Sequence, residues 1–359
     1  MKQRQSLTIG KHIINDDSDC YVIAEIGHNH QGSVEKCKQL FDAAHAAGAH
    51  AVKLQKRDNK TLFTQEAYDK PYDNPNSYGT TYGEHREALE FGWPEYVELK
   101  AYAESLGMDF FSTAFDIPSA DFLENLGVPA YKIASGDLKT TPLLKHVASF
   151  GKPVIVSTGG ASLDDIRRAY EAMAPINKQI CIMQCTAGYP PEWEELNLRV
   201  IDTLRKEFPE IVIGFSSHDN GIAMAVAGYM LGARIVEKHF TLNRALKGTD
   251  HAFSLEPAGL TKMVRDLKRL RIALGDGKKT AYPSEVAPIT KMGKSLFAKT
   301  NLPQGHVLTA ADLAMKSPGG GIPPYDFDKL VGMTLTKAMK QDDAFNYATL
   351  SATKAAAVA

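Results

Sequence analysis

Cysteine is scarce in this chain, and long apolar runs are missing. Only four cysteines occur in 359 residues, and none has the paired spacing of a zinc site. We therefore expect no disulfide framework, and we predict that Cys181 and Cys185, which share one apolar segment, are buried and inert thiols. No stretch reaches the roughly 18 apolar residues of a membrane span, and residues 1–20 contain no signal-peptide core. These absences predict a cytoplasmic protein with no membrane partner.

An excess of basic charge is also missing. The chain has 41 Lys and Arg against 42 Asp and Glu, with a formal net charge of -1. Nucleic acid is therefore not an expected partner. The length suits one large domain followed by a small one.

One unit, an apolar strand followed by a helix, repeats between residues 21 and 274. Strands are predicted over 21–27, 51–55, 109–115, 130–135, 153–158, 179–186, 211–216 and 233–239. Glycine ends most of the helices, and the strands are apolar on both faces, which is typical of a buried parallel sheet. Eight units predict an α/β fold of the (β/α)8 type, the TIM barrel. The alternative, an open doubly wound sheet, is disfavoured because no Gly-x-Gly-x-x-Gly motif follows a strand.

The character of the chain changes after residue 278. A segment over 279–292, rich in Gly, Pro and polar residues, reads as a linker. Short strand-like pieces follow within 293–353, at 295–298, 307–308, 313–315 and 333–336, separated by turn signals such as PGGGIPP at 318–324. We predict a barrel domain over 1–278, a small second domain over 293–353 and a tail over 354–359. Residues 1–19 are predicted to be a short polar entry segment.

Polar residues occupy the carboxyl ends of all eight predicted strands. Barrels of this type place their functional sites at that face. A structural core does not need them, because each buried polar group costs on the order of 1–3 kcal/mol unless it is satisfied. Among them, two lysines and four hydroxyl residues suit a phosphate or a carboxylate, and we predict an anion pocket made of Lys53, Thr113, Lys132, Ser135, Ser157 and Ser216.

Two histidines, His218 and His239, end successive strands in the same register. This pattern predicts a shared metal site, with two unrelated strand-end histidines as the alternative. With oxygen ligands from water or substrate the pair suits Mn²⁺, or else Mg²⁺ or Co²⁺, acting as a Lewis acid on a carbonyl oxygen. Three carboxylates, Glu25, Asp137 and Glu237, are candidates for moving protons or water, with an ion-pair role as the alternative.

Six motifs, in order along the chain, resemble signatures of the sialic acid synthases. They are AEIGHNHQG at 24–32, VKLQ at 52–55, YKIASGD at 131–137, STG at 157–159, QCT at 184–186 and EKHF at 237–240. The region from 293 to about 350 resembles the antifreeze-like (SAF) domain, a β-clip, that ends those enzymes. An insertion that includes YGTTYGEHR at 78–86, together with KGTDH at 247–251, is most similar to the branch that makes N-acylneuraminate 9-phosphate.

This resemblance implies that phosphoenolpyruvate condenses with an open-chain N-acylmannosamine or its 6-phosphate. The products would be a nine-carbon 2-keto sugar acid and phosphate. The predicted anion pocket matches positions that hold phosphoenolpyruvate, and the two histidines match metal ligands. Glu25 is the candidate for handling water. Positions around the sugar match Glu25, Gln55, Tyr189 and Asp250, and a domain-swapped homodimer is also implied.

Two features of the sequence leave the identity of the sugar substrate undecided. Ser317 stands where typical bacterial members have an arginine that reaches into the neighbouring subunit's site, and serine cannot replace its bidentate contact. In the insertion, Lys70, His85 and Arg86 are candidate ligands for a sugar 6-phosphate, with ordinary solvated charge as the alternative. The alternatives for function are a related synthase with a legionaminate, pseudaminate or Kdn product, and a non-catalytic carbohydrate-binding protein.

Overall fold

The structure is a computed structural model that describes residues 6–352. Contacts divide the chain into two compact units, and the boundary lies between Gly275 and Asp276. Within 6–352, no helix is both long and apolar enough to cross a membrane. The predicted tail over 354–359 lies outside the described residues.

An antiparallel hairpin of β1 (Leu7–Ile9) and β2 (His12–Ile14) precedes the barrel. The prediction of a polar entry segment is therefore wrong for residues 7–14, because Leu7, Ile9 and Ile14 are buried in the core of the first unit. The hairpin turn contains Gly10, whose φ of +52° lies in the left-handed region that favours glycine.

The first unit is a closed barrel of eight parallel strands, as predicted. Each strand pairs with its neighbours in chain order, and the last strand pairs with the first. The closure leaves no free sheet edge, and both faces of every strand are buried. The strands are β3 (Tyr21–Gly27), β4 (Ala51–Lys56), β5 (Asp109–Ala114), β6 (Tyr131–Ile133), β7 (Val154–Ser157), β8 (Ile180–Cys185), β9 (Val212–Ser217) and β10 (Ile235–His239).

A helix follows each barrel strand and packs its apolar face on the sheet. Side-chain caps mark the starts of two of these helices: Ser33 accepts a hydrogen bond from the backbone N–H of Lys36, and Asp116 accepts one from the backbone N–H of Ser119. The helices of the first unit are α1 (Val34–Ala46), α2 (Asn59–Leu62), α3 (Gln65–Asp69), α4 (Tyr82–Glu87), α5 (Trp93–Ser105), α6 (Ile117–Leu126), α7 (Thr141–Ser149), α8 (Leu163–Met173), α9 (Val200–Glu207), α10 (Ala223–Met230) and α11 (Pro257–Leu274).

The insertion between β4 and α5 folds into the short helices α2, α3 and α4. It is held against the loop that follows β10 by two hydrogen bonds. The Tyr78 hydroxyl donates to the carbonyl of Lys247 at 2.6 Å, and the backbone N–H of Gly248 donates to Asn76 Oδ1 at 3.0 Å. The insertion therefore brings its own side chains to the carboxyl end of the barrel.

The second unit has a small core of its own, formed by residues that include Leu296, Leu330 and Phe345. The segment predicted as a linker contains a helix, which starts with Pro283 and a backbone-capping Glu285. The pieces predicted at 295–298, 313–315 and 333–336 each contain a strand, whereas residues 307–308 contribute only a single bridge. The elements are α12 (Pro283–Met292), β11 (Ser295–Ala298), β12 (Leu313–Lys316), α13 (Phe327–Leu330), β13 (Thr334–Leu335) and β14 (Leu350–Ser351).

Candidate active site

A cavity of about 710 Å³ opens at the carboxyl ends of the barrel strands. All but one of the site residues predicted in the barrel line it. The exception is Asp137, which lies in a 3-10 turn after β6, where burial raises the pKa of its carboxyl to about 6. The predicted residues that line the cavity are Glu25, Lys53, Gln55, Thr113, Lys132, Ser135, Ser157, Tyr189, Ser216, His218, Glu237, His239 and Asp250.

Strand register explains why side chains distant in sequence meet here. Glu25 lies opposite Lys53 in the pairing of β3 with β4, and Thr113 lies opposite Lys132 in the pairing of β5 with β6. Parallel strands in a barrel place such residues in layers, and the layer at the carboxyl end faces the cavity.

Two lysines and two glutamates share the inner wall of the cavity. Lys53 Nζ lies 2.5 Å from Glu25 Oε2 and 3.7 Å from Glu237 Oε1. Lys132 Nζ lies 3.9 Å from the same Glu237 oxygen. All four side chains are buried, so their charges are weakly screened by water and depend on one another.

Hydroxyl groups complete this inner wall. Lys53 Nζ donates a hydrogen bond to Thr113 Oγ1 at 2.8 Å, and Lys132 Nζ donates to Ser157 Oγ at 2.6 Å. The cations therefore have fixed positions before any ligand arrives. Such a preorganised set of ammonium and hydroxyl donors is suited to an anion.

The surroundings of Glu25 and Glu237 shift the pKa values of their two carboxyls in opposite directions. Burial raises the pKa of Glu25 to about 7, although the Lys53 ammonium opposes the shift. Burial acts in the same direction on Glu237, but the surrounding positive charge, first of Lys132 and then of Lys53, opposes it, and the pKa of Glu237 is lowered. Glu237 is therefore the permanently ionised partner, and Glu25 is the carboxyl that can exchange a proton near neutral pH.

The imidazoles of His218 and His239 lie side by side, with ring centroids 5.3 Å apart. His218 Nδ1 lies 2.9 Å from the carbonyl oxygen of Thr186, an acceptor that places the ring hydrogen on Nδ1 and leaves Nε2 with a lone pair. His239 Nδ1 is buried without a hydrogen-bond partner and lies 3.6 Å from Asp250 Oδ2. Burial lowers the pKa of both imidazoles, so both are neutral at pH 7.

The two histidines fit a metal ion that also takes ligands from water or substrate. A metal ligand must be a neutral imidazole with a free lone pair, and the unpartnered Nδ1 of His239 and the fixed ring of His218 meet this need. Among residues 6–352, no three or more His, Cys, Asp or Glu side chains are grouped for a metal ion. The described part of the chain therefore offers a pair of neutral imidazoles here and no closed cage of protein ligands.

The cavity also has lining residues that the sequence analysis did not single out, among them Arg57, Asn76 and Thr249. Arg57 continues the alternation of Lys53 and Gln55 along β4, and that signal could have identified it. Asn76 and Thr249 come from loops that carry no such pattern. Of the three candidates in the insertion, Arg86 lines the cavity, but the exposed Lys70 and the buried His85 are not among its lining residues.

Fold and site together define a class: a (β/α)8-barrel enzyme with its site at the carboxyl face of the barrel. Residues 40–279 match the NeuB family, and residues 293–350 match the SAF domain. The chain therefore belongs to the NeuB family, and the predicted resemblance to sialic acid synthases is confirmed.

Several relatives cover nearly the whole chain. Human N-acetylneuraminate-9-phosphate synthase is 41% identical over 325 residues, with 90% of each chain covered. The N,N'-diacetyllegionaminic acid synthase of Legionella pneumophila is 34% identical, with 88% of this chain and 90% of the relative covered. The crystal structure of N-acetylneuraminic acid synthetase from Leptospira borgpetersenii, in complex with citrate, matches with a TM-score of 0.70 at 32% identity. That match covers 80% of this chain and 96% of the other.

Proposed function

We propose that the protein is a synthase that condenses phosphoenolpyruvate with open-chain N-acetylmannosamine or its 6-phosphate. The product is N-acetylneuraminate or its 9-phosphate, released together with inorganic phosphate. One observation carries the proposal: two buried lysines with hydroxyl partners and two neutral histidines line the same cavity of a NeuB-family barrel. The human relative, named as a 9-phosphate synthase, supports the same reaction.

Phosphoenolpyruvate binds along the inner wall in this proposal. Its phosphate and carboxylate need cations and hydrogen-bond donors, and Lys53 and Lys132 supply both from fixed positions. The hydroxyl groups that complete the pocket are those of Thr113, Ser135, Ser157 and Ser216.

The sugar binds on the side of the cavity where Gln55, Tyr189 and Asp250 lie. His218 and His239 would hold a divalent cation, with Mn²⁺ preferred and Mg²⁺ or Co²⁺ as alternatives, and such an ion supplies Lewis-acid polarisation of the sugar aldehyde. The buried walls exclude bulk water, so the aldehyde and the enol are held together in a protected space.

The reaction forms one carbon–carbon bond and breaks one carbon–oxygen bond. The C3 carbon of phosphoenolpyruvate attacks the aldehyde carbon, which leaves C2 as a cationic centre, and the aldehyde oxygen takes the proton of the Glu25 carboxyl to become a hydroxyl. Water then adds at C2 and gives up a proton to the Glu25 carboxylate, whose pKa of about 7 suits this transfer. Phosphate then leaves the tetrahedral C2 centre with the electron pair of the C–O bond and takes up the proton of the C2 hydroxyl, and the 2-keto group forms.

The test combines a substrate panel with an isotope label. The purified protein with Mn²⁺ and phosphoenolpyruvate is given N-acetylmannosamine, its 6-phosphate or mannose 6-phosphate, and phosphate release and product mass are measured. Phosphoenolpyruvate labelled with ¹⁸O at the bridging oxygen should transfer the label to the released phosphate. Absence of product with every mannosamine-type sugar would refute the proposal.

A related nonulosonate synthase is the second candidate. It is favoured by relatives with other products, among them the legionaminic acid synthase above and a pseudaminic acid synthase from Campylobacter jejuni at 30% identity. In this chain the Ser317 hydroxyl accepts a hydrogen bond from Lys294 Nζ at 3.1 Å within the second unit. The acyl group, the domain-swapped homodimer and the cytoplasmic location stay predictions.

A further inference from the structure

We infer that Arg57 and Arg86, which flank His28 at the wall of the cavity, form a second anion site that binds the phosphate group of a sugar phosphate. The inference rests on the proposed function and narrows it, because it makes the 6-phosphate of the acylmannosamine, rather than the free sugar, the preferred substrate. Arg57 follows β4 and Arg86 lies on α4 of the insertion, so the site joins the barrel to the insertion.

The contacts around His28 contain more donors than acceptors. Arg57 Nη1 lies 3.1 Å from His28 Nε2, and Arg86 Nη1 lies 3.2 Å from His28 Nδ1. Burial and the two guanidinium groups lower the pKa of His28, so its imidazole is neutral. A neutral imidazole accepts at one nitrogen and carries a hydrogen on the other. Only one of the two arginines can therefore donate a hydrogen bond to His28, and the other faces the ring N–H with its own N–H group. A bound anion would accept hydrogen bonds from both of these N–H groups.

The charge of the arginines is not balanced by an ion pair. Among residues 6–352, no carboxylate forms a salt bridge with either guanidinium, whereas Lys53 and Lys132 each lie close to a glutamate. The neighbouring carboxylate of Glu90 pairs with Lys56 Nζ at 2.7 Å. Burial, and after it the charge of Arg86, lowers the pKa of Arg57. A bound anion would offset this desolvation and repulsion.

Both guanidinium groups are held in place, but donors remain. Arg57 lies 3.7 Å from the ring centroid of Phe115 and donates to Gln55 Oε1 at 2.7 Å. Arg86 Nη2 donates to the Tyr82 hydroxyl at 2.6 Å, while its buried Nε has no hydrogen-bond partner. Planar guanidinium groups with free donors match the oxygens of a phosphate monoester.

Gln55 connects this site to the sugar rather than to phosphoenolpyruvate. Its amide oxygen accepts from Arg57, and its Nε2 donates to Glu25 Oε1 at 2.8 Å. Glu25 and Gln55 are both positions proposed to contact the sugar. The two lysines with their hydroxyl partners already provide for the phosphate of phosphoenolpyruvate. The phosphate that reaches Arg57 and Arg86 is therefore assigned to the far end of the sugar chain.

Steady-state kinetics with N-acetylmannosamine and its 6-phosphate test the inference in wild type, Arg57→Met and Arg86→Met. We expect wild type to prefer the 6-phosphate, and each variant to reduce the ratio of the two kcat/KM values about tenfold or more, because charge-assisted hydrogen bonds to the phosphate are lost. Arg86→Lys should recover part of the ratio. Lys60→Met is the matched control, since this exposed lysine of the insertion does not line the cavity, and it should leave the ratio unchanged.

Several outcomes would overturn the inference. An unchanged ratio in both arginine variants would do so, and an effect confined to the KM of phosphoenolpyruvate would assign the site to the other substrate. If no sugar is turned over, the proposed function fails, and calorimetric binding of mannose 6-phosphate decides the anion site alone. Weaker binding to Arg86→Met than to wild type supports it, and equal binding refutes it. If Arg86→Met does not fold, Arg57→Met and Arg86→Lys are measured in its place.

Discussion

Lys53 Nζ lies 2.5 Å from Glu25 Oε2 in the interior of the barrel, where each side chain is only 2% exposed. Removing one member of a buried pair leaves an uncompensated charge, which costs about 3–5 kcal/mol, whereas an exposed pair contributes about 1 kcal/mol or less. A substitution at either residue should therefore change both the free energy of unfolding of the barrel and the reaction in the cavity.

Lys53→Met should lower the free energy of unfolding by about 3–5 kcal/mol at pH 8.5, where Glu25 is ionised, and should abolish phosphoenolpyruvate turnover. Urea unfolding followed by circular dichroism and phosphate release provide the measurements. The double variant Lys53→Met with Glu25→Gln should recover most of the stability but no activity. Lys100→Met is the control, because Lys100 pairs with Glu104 on the surface of α5. Equal losses in Lys53→Met and this control would contradict the prediction.

Glu25 should make stability depend on pH in a defined direction. Its pKa rises from the ordinary 4.5 to about 7 on folding, mainly because of burial. Between these values the folded chain holds a proton that the unfolded chain has lost, so the contribution of Glu25 to stability falls as pH rises from about 4.5 to 7. The difference in unfolding free energy between wild type and Glu25→Gln, measured across this range, isolates the effect. A difference that shifts in favour of wild type with rising pH would show that Lys53 keeps Glu25 ionised.

The barrel and most of its site could be predicted because both follow from local patterns. Apolar runs separated by helices specify buried parallel strands, and parallel pairing brings their carboxyl ends together whatever the loops do. That is why residues as distant as Glu25 and His239 meet in one cavity. The same argument does not place Asp137, because this residue lies beyond β6 in a turn where strand alternation no longer applies.

The features that could not be predicted depend on contacts between residues that lie far apart in the sequence or in segments too short to show a pattern. The strands of the first hairpin have only three residues each, too few for alternation to distinguish them from a loop. Asn76 reaches the cavity because its side chain binds the backbone of Gly248, 172 positions away. The approach of Arg57 and Arg86 to opposite sides of His28 likewise needs the folded insertion, although strand alternation alone indicates the place of Arg57 after β4.

The metal prediction is tested at His218 and His239. His218→Ala and His239→Ala should each lower Mn²⁺-dependent turnover by about 100-fold or more and reduce the bound metal measured by mass spectrometry, with unchanged circular dichroism. Treatment of wild type with EDTA should abolish turnover, and Mn²⁺ should restore it. His146→Ala, a substitution at the surface of α7, serves as the control and should keep both activity and metal content. Full activity in either active-site variant would refute the metal assignment.

The turn of the hairpin before the barrel should not tolerate a side chain at Gly10 without a loss of stability. A Cβ at Gly10 would lie 2.0 Å from Asp109 Oδ1, and φ there is +52°. Gly10→Ala should therefore lower the free energy of unfolding through both backbone strain and a steric clash with a side chain that also accepts a hydrogen bond from Tyr21 at 2.7 Å. Gly151→Ala isolates the strain, because Gly151 has φ of +73° with nothing within 4 Å of its Cβ position. Urea unfolding should show that Gly10→Ala costs about 1 kcal/mol or more beyond Gly151→Ala, and equal costs would mean that Asp109 moves away without loss.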